Sequence, residues 1–206
     1  MSNTHQLQLR LAAQPTICLY VLTLTPAERA ALKHQRPRCL WLTGLSGAGK
    51  STLANALEVA LHRRGQHTFL LDGDNLRNGL CSDLGMSAQD RQENIRRTAH
   101  TAKLMVEAGL LVIVSAISPF DTDRKAARSL FGRGEFALIY VDTPFSVCAQ
   151  RDPKGLYQAA LSGRISNFTG LDSPYECPAD ADLQINTEMQ DEAVAVQTML
   201  RFLSNS

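Results

Sequence analysis

Gly44-Leu45-Ser46-Gly47-Ala48-Gly49-Lys50-Ser51-Thr52 is the stretch that decides the fold. It fits Gly, four residues, Gly-Lys-Ser/Thr, a pattern whose backbone amides cradle nucleotide phosphates. The apolar run Cys39-Leu40-Trp41-Leu42 precedes it, and a helical pattern over residues 53–64 follows. Strand, loop and helix are the setting this pattern requires. Gly44, Gly47 and Gly49 let backbone N–H groups turn toward an anion with no Cβ in the way. The helix opening near Lys50 aims the positive end of its dipole at the same anion. Lys50 can reach the β- and γ-phosphates of ATP, and Ser51 can offer its hydroxyl to Mg2+. Residues 44–52 are therefore the expected ATP-binding loop.

Working outward, strand and helix patterns alternate after residue 38. Strands are predicted over 39–43, 68–71, 110–115, 137–141 and 183–185. Their near-continuous apolar character suits a buried parallel sheet. Helices are predicted over 50–64, 88–108, 122–130, 144–150 and 188–203. Ser87 followed by Asp90 reads as an N-cap with its reciprocal acid. Thr143 before Pro144 reads as a helix start, and so does Thr187 with Gln190 three residues on. Residues 152–178 differ, carrying Gly155, Gly163 and Gly170 with Pro153, Pro174 and Pro178. That composition predicts a helix-containing flap, centred on 152–172, of the kind that closes over substrates. The fold class is α/β, a P-loop parallel sheet flanked by helices.

Bulk properties bound the function. A chain of 206 residues, 44% apolar, suits one α/β domain, here 24–206, after an extension over 1–23. A net charge of +1 gives no general attraction to nucleic acid. Five cysteines, Cys18, Cys39, Cys81, Cys148 and Cys177, form no C-x-x-C pair. Neither a zinc site nor a disulfide framework is indicated, and buried thiols in a reducing, cytoplasmic setting are expected. The apolar stretch 16–24 is too short to span a bilayer. It lacks the basic start and small-residue cleavage site of a secretory leader. An added strand or a subunit contact is the expectation there.

A second constellation narrows the nucleotide loop to a reaction. Asp72-Gly73-Asp74-Asn75-Leu76-Arg77 follows the second strand. Asp83-Leu84-Gly85-Met86-Ser87 and Asp90-Arg91-Gln92-Glu93-Asn94-Ile95-Arg96-Arg97 come next. Ile117-Ser118-Pro119, Arg151-Asp152-Pro153-Lys154-Gly155-Leu156-Tyr157 and Asn167-Phe168-Thr169-Gly170 complete the set. In this order the motifs closely resemble the adenylyl-sulfate kinase family, from about residue 24 to the C-terminal helix. The resemblance implies transfer of the ATP γ-phosphoryl to the 3′-hydroxyl of adenosine 5′-phosphosulfate (APS). The products are 3′-phosphoadenosine 5′-phosphosulfate (PAPS) and ADP. Family members commonly pair as homodimers, and sulfate adenylyltransferase is the pathway partner.

Roles follow from position and chemistry. Asp74 lies past the end of a parallel strand, where open α/β sheets bind ligands. It is the expected carboxylate beside the attacking hydroxyl, and Asp72 is its rival for the metal together with Ser51. Read alone, both are ordinary acids of an Asp-Gly-Asp-Asn turn. By resemblance Arg77, Arg91, Asn94 and Lys154 contact APS, and Phe168 stacks on its adenine. Arg91 and Asn94 are three apart on one helix and so share a face. The plain alternatives are a solvated helix surface for each arginine and core packing for Phe168. Arg96 and Arg97 are assigned to that surface. Ser118 has two readings, a phosphoryl acceptor in a covalent intermediate or a loop-positioning residue. A hydroxyl with no nearby base is a weak nucleophile, which favours the second.

Two departures from the family pattern bear on the acceptor side. Met86 stands where an aromatic face of the adenine sandwich is usual, and methionine can still pack on a ring. Asp121 replaces an arginine beside the anion site, and Arg124 is the candidate substitute cation. A non-catalytic homologue and a kinase of another small hydroxylated substrate are the rival readings. An ADP-release assay comparing APS with adenosine and AMP separates them.

Overall fold

The computed structural model describes residues 20–205. Five strands form one parallel sheet: β1 (Arg38–Thr43), β2 (Thr68–Asp72), β3 (Leu111–Ser115), β4 (Phe136–Val141) and β5 (Leu183–Ile185). Their order is β2-β3-β1-β4-β5. β1 is thus central, with Trp41 opposite Val114 of β3 and Leu138 of β4. Every residue of β1 and β3 is buried, as the apolar runs predicted. β2 lies at one edge and is only partly covered, with Phe69 exposed.

Helices flank the sheet. They are α1 (Pro26–Ala31), α2 (Lys50–His62), α3 (Gly73–Arg77), α4 (Ala88–Glu107), α5 (Asp121–Arg128), α6 (Phe145–Arg151), α7 (Leu156–Leu161) and α8 (Glu192–Asn205). α2 buries Leu53, Ala54, Leu57 and Leu61 on one side of the sheet, in a cluster with Leu40, Leu42 and Met199 of α8. α4 buries Ile95, Ala99, Ala102 and Val106, at helical spacing, on the other side with Trp41 and Leu138. The Ser87–Asp90 capping box forms as predicted, Ser87 Oγ accepting from the Asp90 amide at 3.1 Å.

Two of the expected caps do other work. α6 starts at Phe145 and α8 at Glu192, where Asp191 accepts from the Val194 amide at 2.8 Å. Thr143 and Thr187 instead converge on the phosphate loop. Their hydroxyls lie 3.1 and 3.0 Å from the Ala48 carbonyl and 2.7 Å from each other. α1, which Thr25 and Glu28 cap reciprocally, and the single-turn α3 were not predicted. The expected N-terminal strand lies largely outside the described residues, and residues 20–24 form none. Cys39, Cys81 and Cys148 are buried free thiols, whereas Cys177 is exposed, and Cys18 lies outside the described residues.

Candidate active site

The loops leaving β1, β2 and β3 open at the carboxyl end of the sheet, where the strand order changes direction and ligands of open α/β sheets bind. A cavity of about 870 Å³ lies there. All the expected site residues line it except Gly44, Leu45 and Ala48. Those three form the back of the loop. A Cβ on Gly44 would sit 2.5 Å from the Val141 carbonyl oxygen, at a φ of 151°. Gly47 and Gly49 take φ of 74° and 97°, which glycine adopts without steric cost.

Lys50 is buried and donates to the Leu45 carbonyl at 2.8 Å. Burial pushes its pKa down to about 8, while Cys148, Asp74 and Asp72 pull the other way. Desolvation of the ammonium thus outweighs the nearby carboxylates, and a bound anion would favour the charged form. Ser51 Oγ donates to Asp72 Oδ2 at 2.6 Å and lies 3.1 Å from Ser115 Oγ. Asp72 also caps α3, accepting from the Asp74 and Asn75 amides at 3.1 and 3.4 Å. This is why the short helix forms, and it turns Asp74 into the cavity mouth. Asp74 forms an ion pair with Lys154 of the flap. Among the described residues no three His, Cys, Asp or Glu side chains gather into a metal cluster. The Ser51, Asp72 and Ser115 oxygens are hard donors of the kind Mg2+ takes alongside phosphates and water.

The side of the cavity that carries the expected acceptor residues is built from α3, α4 and the segment after α6. Arg77 donates to the Gly85 carbonyl at 2.9 Å. Arg91 donates to the Met86 carbonyl at 3.2 Å, to Thr169 Oγ1 at 2.6 Å and to the Asn167 carbonyl. Burial and the neighbouring Arg77 guanidinium both lower the Arg91 pKa. Two like charges held together in this way favour an anion between them. Asn94 is 5% exposed, and its Nδ2 has no hydrogen-bond partner although it lines the cavity. A buried amide donor without a partner is rare enough to mark a ligand position. Phe168 combines both of its sequence readings. It lines the cavity, and its ring also packs edge-on against Tyr157 with centroids 4.8 Å apart. Met86 borders the cavity and is exposed.

Ser118 is buried at a φ of 40°, and its hydroxyl both accepts and donates within the fold. Trp41 Nε1 donates to it at 3.0 Å, and it donates to Thr43 Oγ1 at 2.9 Å. Arg124 does not substitute for a lost site cation. It is buried outside the cavity and donates to the carbonyls of Ser118 and Glu176 at 2.8 and 2.7 Å. Asp121 likewise lies outside, paired with Lys125 at 2.6 Å. Its charge reversal is thereby absorbed on the surface of α5. Arg96 and Arg97 are surface residues as expected, paired with Glu93 and, for Arg97, with Asp83. The segment expected as a flap contains α7, and a Cβ on Gly170 would meet Leu45 and Phe145. Sequence reasoning missed Ser115, Arg151, Thr187 and Gln190 in the lining. The strand-end position of Ser115 and the place of Arg151 at the head of a recognised motif were the available signals, whereas Thr187 and Gln190 read as a helix cap.

Known proteins with this arrangement identify it. The family model for adenylylsulphate kinase matches residues 36–186. The adenylyl-sulfate kinase of Pseudomonas aeruginosa is 57% identical over 178 residues, covering 86% of this chain and 91% of that protein. The bifunctional enzyme NodQ of Rhizobium tropici is 58% identical over 182 residues, and the chain spans 29% of that longer enzyme and 88% of itself. The APS kinase CysC of Mycobacterium tuberculosis, solved with AMPPNP and APS, has a TM-score of 0.79 and 43% identity, covering 82% of this chain and 98% of that one. The chain belongs to the adenylyl-sulfate kinase family and is a phosphotransferase with an alcohol as acceptor.

Proposed function

We propose that this chain uses ATP to phosphorylate the 3′-hydroxyl of APS, with the donor on the loop after β1 and the acceptor between α3, α4 and the flap. The observation that carries this reading is the unpartnered amide of buried Asn94, a residue that lines one cavity with Lys50, Ser51 and Asp74. Phosphoryl transfer needs positioning and charge stabilisation more than covalent assistance. The amides of residues 46–51 and the Lys50 ammonium hold the donor phosphates. Ser51 and Asp72 are the residues that would hold Mg2+, which when bound neutralises charge on the β- and γ-phosphates. Arg77, Arg91 and Asn94 hold the phosphosulfate and nucleoside of APS, and Phe168 and Met86 flank its adenine. Asp74 accepts the 3′-hydroxyl proton as the new O–P bond forms and the bond to the departing ADP oxygen breaks. Lys154 balances Asp74 before APS binds and faces the acceptor anion afterwards.

Direct transfer leaves Ser118 with a structural role. Its hydroxyl is shared between Trp41 and Thr43, and Ser118→Ala is expected to keep the reaction within about tenfold of normal turnover. APS itself must come from an enzyme that condenses sulfate with ATP, which places a sulfate adenylyltransferase upstream. Among the described residues no helix is long and apolar enough to cross a membrane. The test is ADP release with APS, adenosine or AMP as acceptor, in the natural chain, Lys50→Ala and Asp74→Ala. APS should be preferred, and both variants should lose at least about a hundredfold in turnover. Full activity in both variants, or equal use of AMP, overturns the reading.

A further inference from the structure

Tyr157 belongs to neither half of the cavity, yet it touches both. It is 2% exposed and does not line the cavity. Asp152 accepts from its amide at 3.1 Å, which fixes the start of α7. The ring stands edge-on between Phe145, 5.4 Å away, and Phe168, 4.8 Å away at 76°. The hydroxyl donates to the Ser46 carbonyl at 2.8 Å. One side chain therefore joins the phosphate loop to the aromatic residue of the acceptor side.

The bond to Ser46 has a directional consequence. No peptide in the described chain is cis, so the Gly47 N–H points opposite to the Ser46 carbonyl. Tyr157 draws that carbonyl toward the interior, and the Gly47 N–H is thereby turned to the cavity side. Gly47 can hold that conformation, at a φ of 74°, and its backbone is backed by the Cys148 carbonyl, 2.9 Å from where a Cβ would be. At the other end, the Tyr157 and Phe168 rings meet in a T-shaped arrangement that limits the tilt of Phe168. We infer that Tyr157 is a positioning residue that aims a phosphate-binding amide of the loop and sets the orientation of Phe168, so that the two half-sites are aligned through one buried side chain. Its Phe168 arm rests on the proposed acceptor role of that residue; its Ser46 arm does not.

The two arms can be cut separately. Tyr157→Phe keeps the ring and removes the hydroxyl, with its bond to Ser46 and its contact with the Cys148 thiol behind the loop. Tyr157→Leu removes both. Steady-state ADP release, with ATP and APS varied in turn, should show the KM for ATP raised about fivefold in Tyr157→Phe, the size of one net hydrogen bond, with the KM for APS within twofold. Tyr157→Leu should raise both. Direct binding of AMPPNP should weaken by the same factor in both variants. Thermal melts identify a variant that is merely unfolded, and Tyr157→Phe, which keeps the packing, then carries the test. Equal KM changes for both substrates in Tyr157→Phe, or none for either, refute the inference. If the natural chain releases no ADP with APS, the acceptor assignment fails, and AMPPNP binding still decides the Ser46 arm.

Discussion

Raising the pH should weaken ATP binding through Lys50 alone. Burial holds its pKa near 8, against an ordinary 10.5. About nine-tenths of Lys50 is charged at pH 7 and about one-tenth at pH 9 on that value. Donor phosphates supply the missing counter-charge and should return the group toward its ordinary pKa. The dissociation constant for ATP, measured without acceptor, should then rise about tenfold between pH 7 and pH 9, or ~1.4 kcal/mol. Titration calorimetry in buffers of different ionisation enthalpy should find ~0.9 proton taken up on binding at pH 9 and ~0.1 at pH 7. Lys50→Met removes the Lys50 contribution and serves as the reference for phosphate titration. Folding stability should move the other way. The folded pKa is depressed, so between about pH 8 and 10.5 the unfolded chain binds more protons, and the empty protein gains stability relative to Lys50→Met as pH rises through that window. An affinity flat with pH, or no buffer dependence of the binding enthalpy at pH 9, refutes the argument.

Three further outcomes follow from other residues. Asn94→Ala deletes a buried donor that has no partner within the fold, so its melting temperature should hold within a few degrees while the KM for APS rises about fivefold or more. A melting temperature lowered by ten degrees would mean the amide is paired. Gly44→Ala places a methyl 2.5 Å from the Val141 carbonyl at a φ foreign to alanine, and should cost at least ~2 kcal/mol in denaturant unfolding; an unchanged midpoint contradicts the packing. Met86→Phe presents an aromatic face at the cavity border and should lower the KM for APS about fivefold, since base stacking is worth ~1–3 kcal/mol; an unchanged KM removes Met86 from the adenine site.

Much of this site was legible because its chemistry is local in sequence. Glycines at fixed spacing announce the loop after β1, and Ser87 with Asp90 announces α4. The failures share a physical cause. Thr143 and Thr187 carry good capping sequences, but the Ala48 carbonyl lies within reach of both hydroxyls. A hydroxyl bonds whichever neighbour the fold brings, and 95 and 139 residues separate these partners in sequence. Arg124 was misread for the same reason. Its pattern position suggested a site cation, whereas the carbonyls of Ser118 and Glu176 draw it inward. Tyr157 stood within a recognised motif, but nothing in its spacing connects it to Ser46.

The cations of the cavity differ in how they are satisfied, and this sets how anions enter. The hydrogen-bond partners of Lys50, Arg77 and Arg91 are carbonyl or hydroxyl oxygens, which carry no charge. Such contacts hold geometry without neutralising the charge; the carboxylates near Lys50 and Arg91 act on them only through space, so a phosphate or sulfate still gains electrostatic attraction on arrival. Lys154 differs, because Asp74 already neutralises it. An anion reaching Lys154 must compete with Asp74, and its success frees the carboxylate proposed as the base. The base would thus be exposed only when the acceptor's charge has displaced it, which restrains transfer to water before APS is bound. Lys154→Ala separates this gating from simple anchoring. Anchoring alone predicts a higher KM for APS with unchanged ATP hydrolysis in its absence. Gating predicts, in addition, a severalfold rise in acceptor-free ADP release, and its failure to appear would remove the gate.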